Sequence, residues 1–178
     1  MAGIGGPIGH WITREMLIAF AVIFSIPFWI DAVGLYQYLG VEILIWMIYA
    51  LGFNLLLGYT GKPSFGHGAY FGIGAYAFGL AQQHVVVNVW IGIGIAILAA
   101  TLAGAMVATF ISHRRGIYFA LMTIAFGQVF WFTAVKWHTV TGGEDGLQNI
   151  PRPDVFSISL KDNVALFYLA FFFFCIVV

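Results

Sequence analysis

The chain has 178 residues, is 62% hydrophobic and only 8% charged, and carries no formal net charge. Its mean hydropathy is +0.97. A soluble domain carries about 25% charged residues, so a chain this poor in charge cannot cover its own surface in water and reads as a polytopic membrane protein. Zero net charge leaves no electrostatic footprint for nucleic acid. The single cysteine, Cys175, supports neither a disulfide framework nor a thiol metal site.

A helix needs about 20 apolar residues to cross a bilayer. In chain order the apolar runs are Met16–Ile30, Ile43–Leu57, Phe65–Ala81, Val85–Ile111, Ile117–Val135 and a run from Val164 to Val178. Arg14 ahead of the first run gives it the look of a signal peptide. It ends, however, in Trp29-Ile30-Asp31 without a small-x-small cleavage site, and is read as a retained span. The first two runs reach full length if Trp11 and Tyr59 serve as interfacial residues, and the fourth is long enough to tilt. The expected fold is all-α, a polytopic transmembrane helix bundle with about five full spans and a truncated sixth. Because the chain ends in FFFFCIVV without a charge or turn, residues 1–178 are expected to be the N-terminal part of one longer membrane domain.

Lysine and arginine placement predicts orientation. With a cytoplasmic N-terminus, Arg14, Lys62, Arg114 and Arg115 face inward, whereas Lys136, Arg152 and Lys161 fall in one long outside segment. Asp31, Glu42, Glu144, Asp145, Asp154 and Asp162 also fall outside, leaving Glu15 inside.

Small residues in the fourth run, Gly92, Ala96, Ala100, Gly104 and Ala108, recur every four positions. Membrane helices associate largely by close packing, so this stripe predicts an intimate helix contact over most of the bilayer. Gly68-x-x-x-Gly72 repeats the pattern in the third run. With Gly66, Gly74 and Gly79 alongside, that run is expected to bend or break.

The segment GYTGKPSFGHGAYFGIGAY at 58–76 interrupts the apolar pattern with a lysine, a proline and a histidine among six glycines. Pro63 cannot continue a helix and biases Lys62 toward an extended conformation. Ser64 is placed to cap a helix starting near Phe65, with His67 in its first turn. Three readings compete: an interfacial turn, a broken helix beside a substrate path with its positive end toward the path, and an intramembrane hydrolase using Ser64 and His67. The last lacks a nucleophile elbow and a partnered acid.

Other polar residues within the runs are Asn54, Thr101, Thr123 and Gln128. Such residues tend to face a bundle interior or a cavity, which makes Asn54, Thr123 and Gln128 further candidates for a substrate path. Thr123 and Gln128 differ by about 140° around a helix and cannot easily line one narrow seam. The predicted runs hold no acidic or basic residue in their centres, which disfavours an ion-coupled pump. Walker A, GxGxxG and HExxH motifs are absent, and the five histidines have no metal-ligand spacing. No cofactor or metal is expected in this chain, and energy for active transport would come from another subunit.

Three segments in order, NLLLGYTGKPSFGHGAYFGIGAY (54–76), RRGIYFALMTIAFGQ (114–128) and TGGEDGLQNIPRP (141–153), carry a family resemblance. Together they resemble the permease subunits of bacterial branched-chain amino-acid ABC importers, in particular the LivM type. The resemblance implies a multi-pass protein of the cytoplasmic (inner) membrane. Its implied partners are a LivH-type permease, two cytoplasmic ATPase subunits that use ATP and Mg, and an extracytoplasmic amino-acid-binding protein. It implies transport of leucine, isoleucine and valine without chemistry on the substrate; permeases for urea or short amides share these motifs and remain an alternative. It strengthens Ser64, Gly66 and His67 as substrate-path residues. Glu144, Asp145 and Arg152 become candidate contacts for the binding protein, against the plainer reading of a solvated turn. Gln128 stands where similar permeases often have glutamate, and no role is carried onto Lys62.

Overall fold

Each apolar run becomes a helix because backbone polar groups in a greasy setting must be satisfied within the segment itself. The computed structural model describes residues 14–30, 32–114, 116–151, 154–155, 158–159 and 162–178. Arg115, Arg152 and Lys161 lie outside the described residues. In chain order the helices are α1 (Arg14–Trp29), α2 (Tyr38–Thr60), α3 (His67–His84), α4 (Val89–Ile111), α5 (Ile117–Lys136), the short α6 (His138–Thr141) and α7 (Asn163–Val177). A 3-10 turn at Gly143–Asp145 follows α6. Two-residue strands β1 (Asp154–Val155) and β2 (Ile158–Ser159) pair antiparallel before α7.

Among the described residues the protein is thus all-helical apart from that small hairpin. Among the described residues, α2, α4 and α5 are long and apolar enough to cross a membrane, while α1 and α7 are shorter apolar helices. Several boundaries depart from the sequence expectation. α2 begins at Tyr38, which places Glu42 inside the helix. α4 begins only at Val89, where the Asn88 carboxamide accepts from the amides of Trp90 at 2.9 Å and Ile91 at 3.3 Å. Its 23 residues span about 35 Å at 1.5 Å per residue, close to a bilayer core of about 30 Å. The extra length read as tilt is a capping turn.

α3 corrects two expectations. It runs unbroken from His67 to His84 despite its glycines; the interruption lies before it, not within it. Its N-cap is Gly66, and no side chain caps it, so Ser64 does not have the capping role its position suggested. Pro63 and the left-handed Gly61 that ends α2 (φ 64°) leave residues 61–66 non-helical, and α3 starts only beyond them.

The helices form two groups. α1, α2 and α7 enclose a core of Ile26, Ile30, Val41, Leu44, Phe167 and Phe174. Aromatic pairs knit it together, among them Phe24–Tyr168 at 5.3 Å and Phe20–Phe174 at 5.7 Å between centroids. α3, α4 and α5 form the second group, with α3 lying along most of α4 and Val107, Ile111 and Phe119 at the α4–α5 contact.

Small residues decide the second group's geometry. A Cβ on Gly92 would collide with the Gln82 carboxamide and would sit 2.8 Å from the Phe78 ring. A Cβ on Gly74 would come 3.8 Å from the Ala96 carbonyl and 3.9 Å from the Ala100 methyl. The rest of the stripe behaves differently from expectation. A Cβ on Gly104 would meet nothing within 4 Å, and Gly104 and Ala108 line a cavity. The stripe is therefore divided, with close helix packing at one end and the wall of an open space at the other.

Candidate functional site

Between the two helix groups lies a cavity of about 750 Å³, lined by residues of α2, α3, α4, α5 and the segment joining α2 to α3. Its position follows from how that segment runs. The His67 ring lies 5.2 Å from the Tyr49 ring, and a Cβ on Gly52 would be 3.4 Å from His67 Nε2. Gly52 precedes the end of α2 at Thr60 by two turns of helix, or about 12 Å. After α2 ends, the chain therefore doubles back along it before α3 begins. Non-helical backbone at such depth is tolerated only when buried in protein or lining a wet cavity. Here Ser64 and Gly66 are buried and Pro63 partly so.

Thr123 of α5 anchors the returning segment. Its hydroxyl donates to the Ala120 carbonyl at 2.7 Å and accepts from the Phe65 amide at 3.1 Å, satisfying a backbone donor that has no helical partner. Gly66 lies so close to the Thr123 carbonyl that any Cβ there would collide with it, and a Cβ on Gly127 would come 3.3 Å from Gly66 Cα. α3 thus meets α5 backbone to backbone, which fixes Gly66 as glycine.

His67 sits among rings: besides Tyr49, Phe53 lies at 6.2 Å and Tyr70 at 6.5 Å. Among the described residues, no hydrogen bond joins Ser64 to His67, so the pair lacks the geometry of a nucleophile and its base. No three His, Cys, Asp or Glu side chains cluster as a metal site among the described residues.

Ser64, His67 and Thr123 line the cavity, and Gly66 backs it at the α5 crossing. Asn54 and Gln128 are not brought to it. Asn54 borders a separate groove against α1 and α7. Gln128 is exposed on α5, on another side from Thr123, as their angular separation on a helix requires. Gly68 and Gly72 border a third groove, between α3 and α5, whose far wall is Gly143–Gly146. Glu144 and Asp145 are exposed on this turn, which folds back toward α3, with the Gln83 carboxamide donating to the Gln148 carbonyl at 2.6 Å. Arg152 lies outside the described residues.

Two polar residues escaped the sequence reading. Gln82 is 1% exposed, donates to the Asn88 carbonyl at 2.8 Å, and has a buried Oε1 without a partner. Nothing in its spacing signalled this, although Asn88 directly before an apolar run was a readable cap. The other is Lys62, whose ammonium donates to the Ser112 carbonyl at 2.8 Å and lies 5.2 Å from the Phe119 ring centroid. It ties the α2–α3 segment to the end of α4.

Residues 35–178 match the profile of the family described as "Branched-chain amino acid transport system / permease component". The chain belongs to that family. It is similar to the high-affinity branched-chain amino acid transport system permease protein LivM of Escherichia coli (strain K12), with 32% identity over 118 residues. The LivM protein of Salmonella typhimurium is 30% identical over 118 residues. Each match covers 66% of this chain and 28% of the relative, so the matched stretch is little more than a quarter of either LivM protein. No solved structure matches. The family is one of transport permease components rather than enzymes.

Proposed function

We propose that this chain forms part of the transmembrane pathway of a bacterial ABC importer that moves branched-chain amino acids inward. The observation that carries the proposal is the non-helical 61–66 segment, turned back beside a largely apolar cavity in a chain of the branched-chain permease family. Leu55, Leu56, Ile111 and Phe119 on the cavity wall suit an aliphatic side chain better than urea. Ser64, His67 and Thr123 are the candidate path residues.

On this reading the helices belong to one permease domain in the cytoplasmic membrane. α1 to α5 are its first spans, α7 begins the next, and the N-terminus faces the cytoplasm. A LivH-type permease pairs with it, two ATPase subunits bind ATP and Mg and drive alternating access, and an extracytoplasmic binding protein delivers the solute. The turn carrying Glu144 and Asp145 is a candidate docking contact for that binding protein.

The test is ATP-dependent uptake of labelled leucine by proteoliposomes holding the full-length protein with its permease partner, ATPases and binding protein. Urea is run in parallel. Leucine uptake that disappears without this subunit supports the proposal. Urea uptake alone would change the cargo, and uptake of neither with working ATPases would overturn it.

A further inference from the structure

Lys62 occupies a singular place. Among the described residues it is the one Lys, Arg, Asp or Glu that lines the cavity. It also borders a second space of about 640 Å³, formed with Thr60, Gly61, Ser112, His113 and Gly116. Thr60, Lys62 and Ser112 line both spaces. The bond from Lys62 Nζ to the Ser112 carbonyl at 2.8 Å therefore lies where the larger, apolar cavity adjoins the smaller space at the helix ends.

The ammonium is poorly matched to its surroundings. A lysine offers three N–H donors, and the contacts made here are to one neutral carbonyl and one aromatic face. A charge at an apolar wall is costly unless it is paired, and among the described residues no lining side chain is a carboxylate. A largely apolar chamber whose described lining holds a lysine and no carboxylate is complementary to a small aliphatic carboxylate. The rings of Tyr59 and Tyr70 on the same wall offer π faces to an α-ammonium group if the acid is an amino acid.

We propose that Lys62 is a specificity-determining residue that binds the carboxylate of the transported solute, exchanging the Ser112 carbonyl for it. The aliphatic part of the solute then occupies the cavity between α2 and α4. Exchange releases the tie between the α2–α3 segment and the end of α4, so occupancy of the cavity and opening toward the second space are linked. No covalent step is involved. The inference deepens the permease reading and rests on it.

The experiment uses the full-length protein with its permease partner in detergent. The probes are 4-methylpentanoate and its uncharged isostere 4-methylpentanamide, titrated against the thermal-unfolding midpoint. The native protein should bind the acid at least about tenfold more tightly than the amide, the factor expected for a hydrogen-bonded charge. Lys62→Met should lose that preference by weakening the acid alone, and Lys62→Arg should keep it. Lys62→Gln serves in place of Lys62→Met if the latter does not fold. Equal binding of acid and amide by the native protein, binding of neither, or a preference that survives Lys62→Met and Lys62→Gln would each overturn the assignment. Leucine uptake by the complete transporter separates the two levels: uptake with no acid preference removes Lys62 alone, whereas an acid preference without leucine uptake leaves Lys62 standing and removes the leucine reading.

Discussion

The two helix groups solve the same packing problem by opposite means. α1, α2 and α7 meet through bulk: Phe167 and Phe174 are buried, and Phe20, Phe24, Tyr168 and Phe171 fill the space around them with edge and tilted contacts. α3 meets α4 and α5 through absence of bulk, at Gly66 against Thr123, Gly74 against Ala100 and Gly92 against Gln82, although α4 and α5 also touch through Val107, Ile111 and Phe119. Lipid tails compete with large apolar side chains as packing partners, so close backbone approach gives the tighter and more position-specific contact. The group held by small residues is also the one that carries the returning segment and the polar anchors Thr123 and Gln82. Precision there matches its place beside the cavity.

This contrast can be broken by reciprocal substitutions, read as thermal-unfolding midpoints of the full-length protein in detergent. The largest effect is expected from Phe167→Ala, which removes a side chain only 2% exposed and should cost about 3–5 kcal/mol. Phe167→Met should cost less than about 1.5 kcal/mol, since bulk rather than ring shape is what that core needs. Gly66→Ala should behave in the opposite sense. One added methyl should cost about 1–3 kcal/mol or more, because the obstacle is the Thr123 backbone carbonyl rather than a movable side chain. Should Gly66→Ala prove neutral while Phe167→Met is severe, the division into bulk-packed and close-packed groups is wrong.

A sharper probe keeps volume constant. Thr123→Val retains shape but strands the Phe65 amide, for a loss of about 1–3 kcal/mol, whereas Thr123→Ser keeps the hydroxyl and should lie nearer the native protein. Equal behaviour of the two would mean that the hydroxyl does not anchor the segment. The smallest effect is expected at the outer turn, where Glu144 and Asp145 are exposed. Replacing both with lysine should leave the midpoint unchanged and reduce binding-protein-stimulated ATPase activity about two- to fivefold. Unaltered stimulation would leave the turn as a solvated cap over α3 and α5.

Much of the architecture was legible in the chain itself. Every long apolar run became a helix, because a long apolar stretch has no other way to satisfy its backbone in a greasy setting. Pro63 between Gly61 and Ser64 marked the interruption correctly, because its missing N–H and fixed φ act locally. Ser64 failed as a cap for a reason outside the local sequence: α3 starts at His67 rather than near Phe65, with Gly66 as its N-cap, where Gly66 is packed against the Thr123 backbone and the Phe65 amide is held by the Thr123 hydroxyl.

The candidate site was legible only in part, and the divisions among its residues show why. Ser64, His67 and Thr123 converge on one cavity, but Asn54 and Gln128, equally polar and equally embedded in apolar runs, face elsewhere. Polarity says that a residue seeks a partner; it does not say on which side of a helix the partner lies. Lys62 drew no role from its neighbours in sequence because its partners, Ser112 and Phe119, lie far along the chain.

What the sequence determined by itself was therefore whatever short-range physics controls: all-helical character, the places where helices stop, and family membership through three ordered segments. The tertiary structure decided the rest. It divided the small-residue stripe of α4 between a helix contact and a cavity wall, folded the 61–66 segment back along α2, and set Lys62 between two spaces. Those outcomes depend on which helix faces meet, and contact between distant residues is set by packing of the whole bundle rather than by any local pattern.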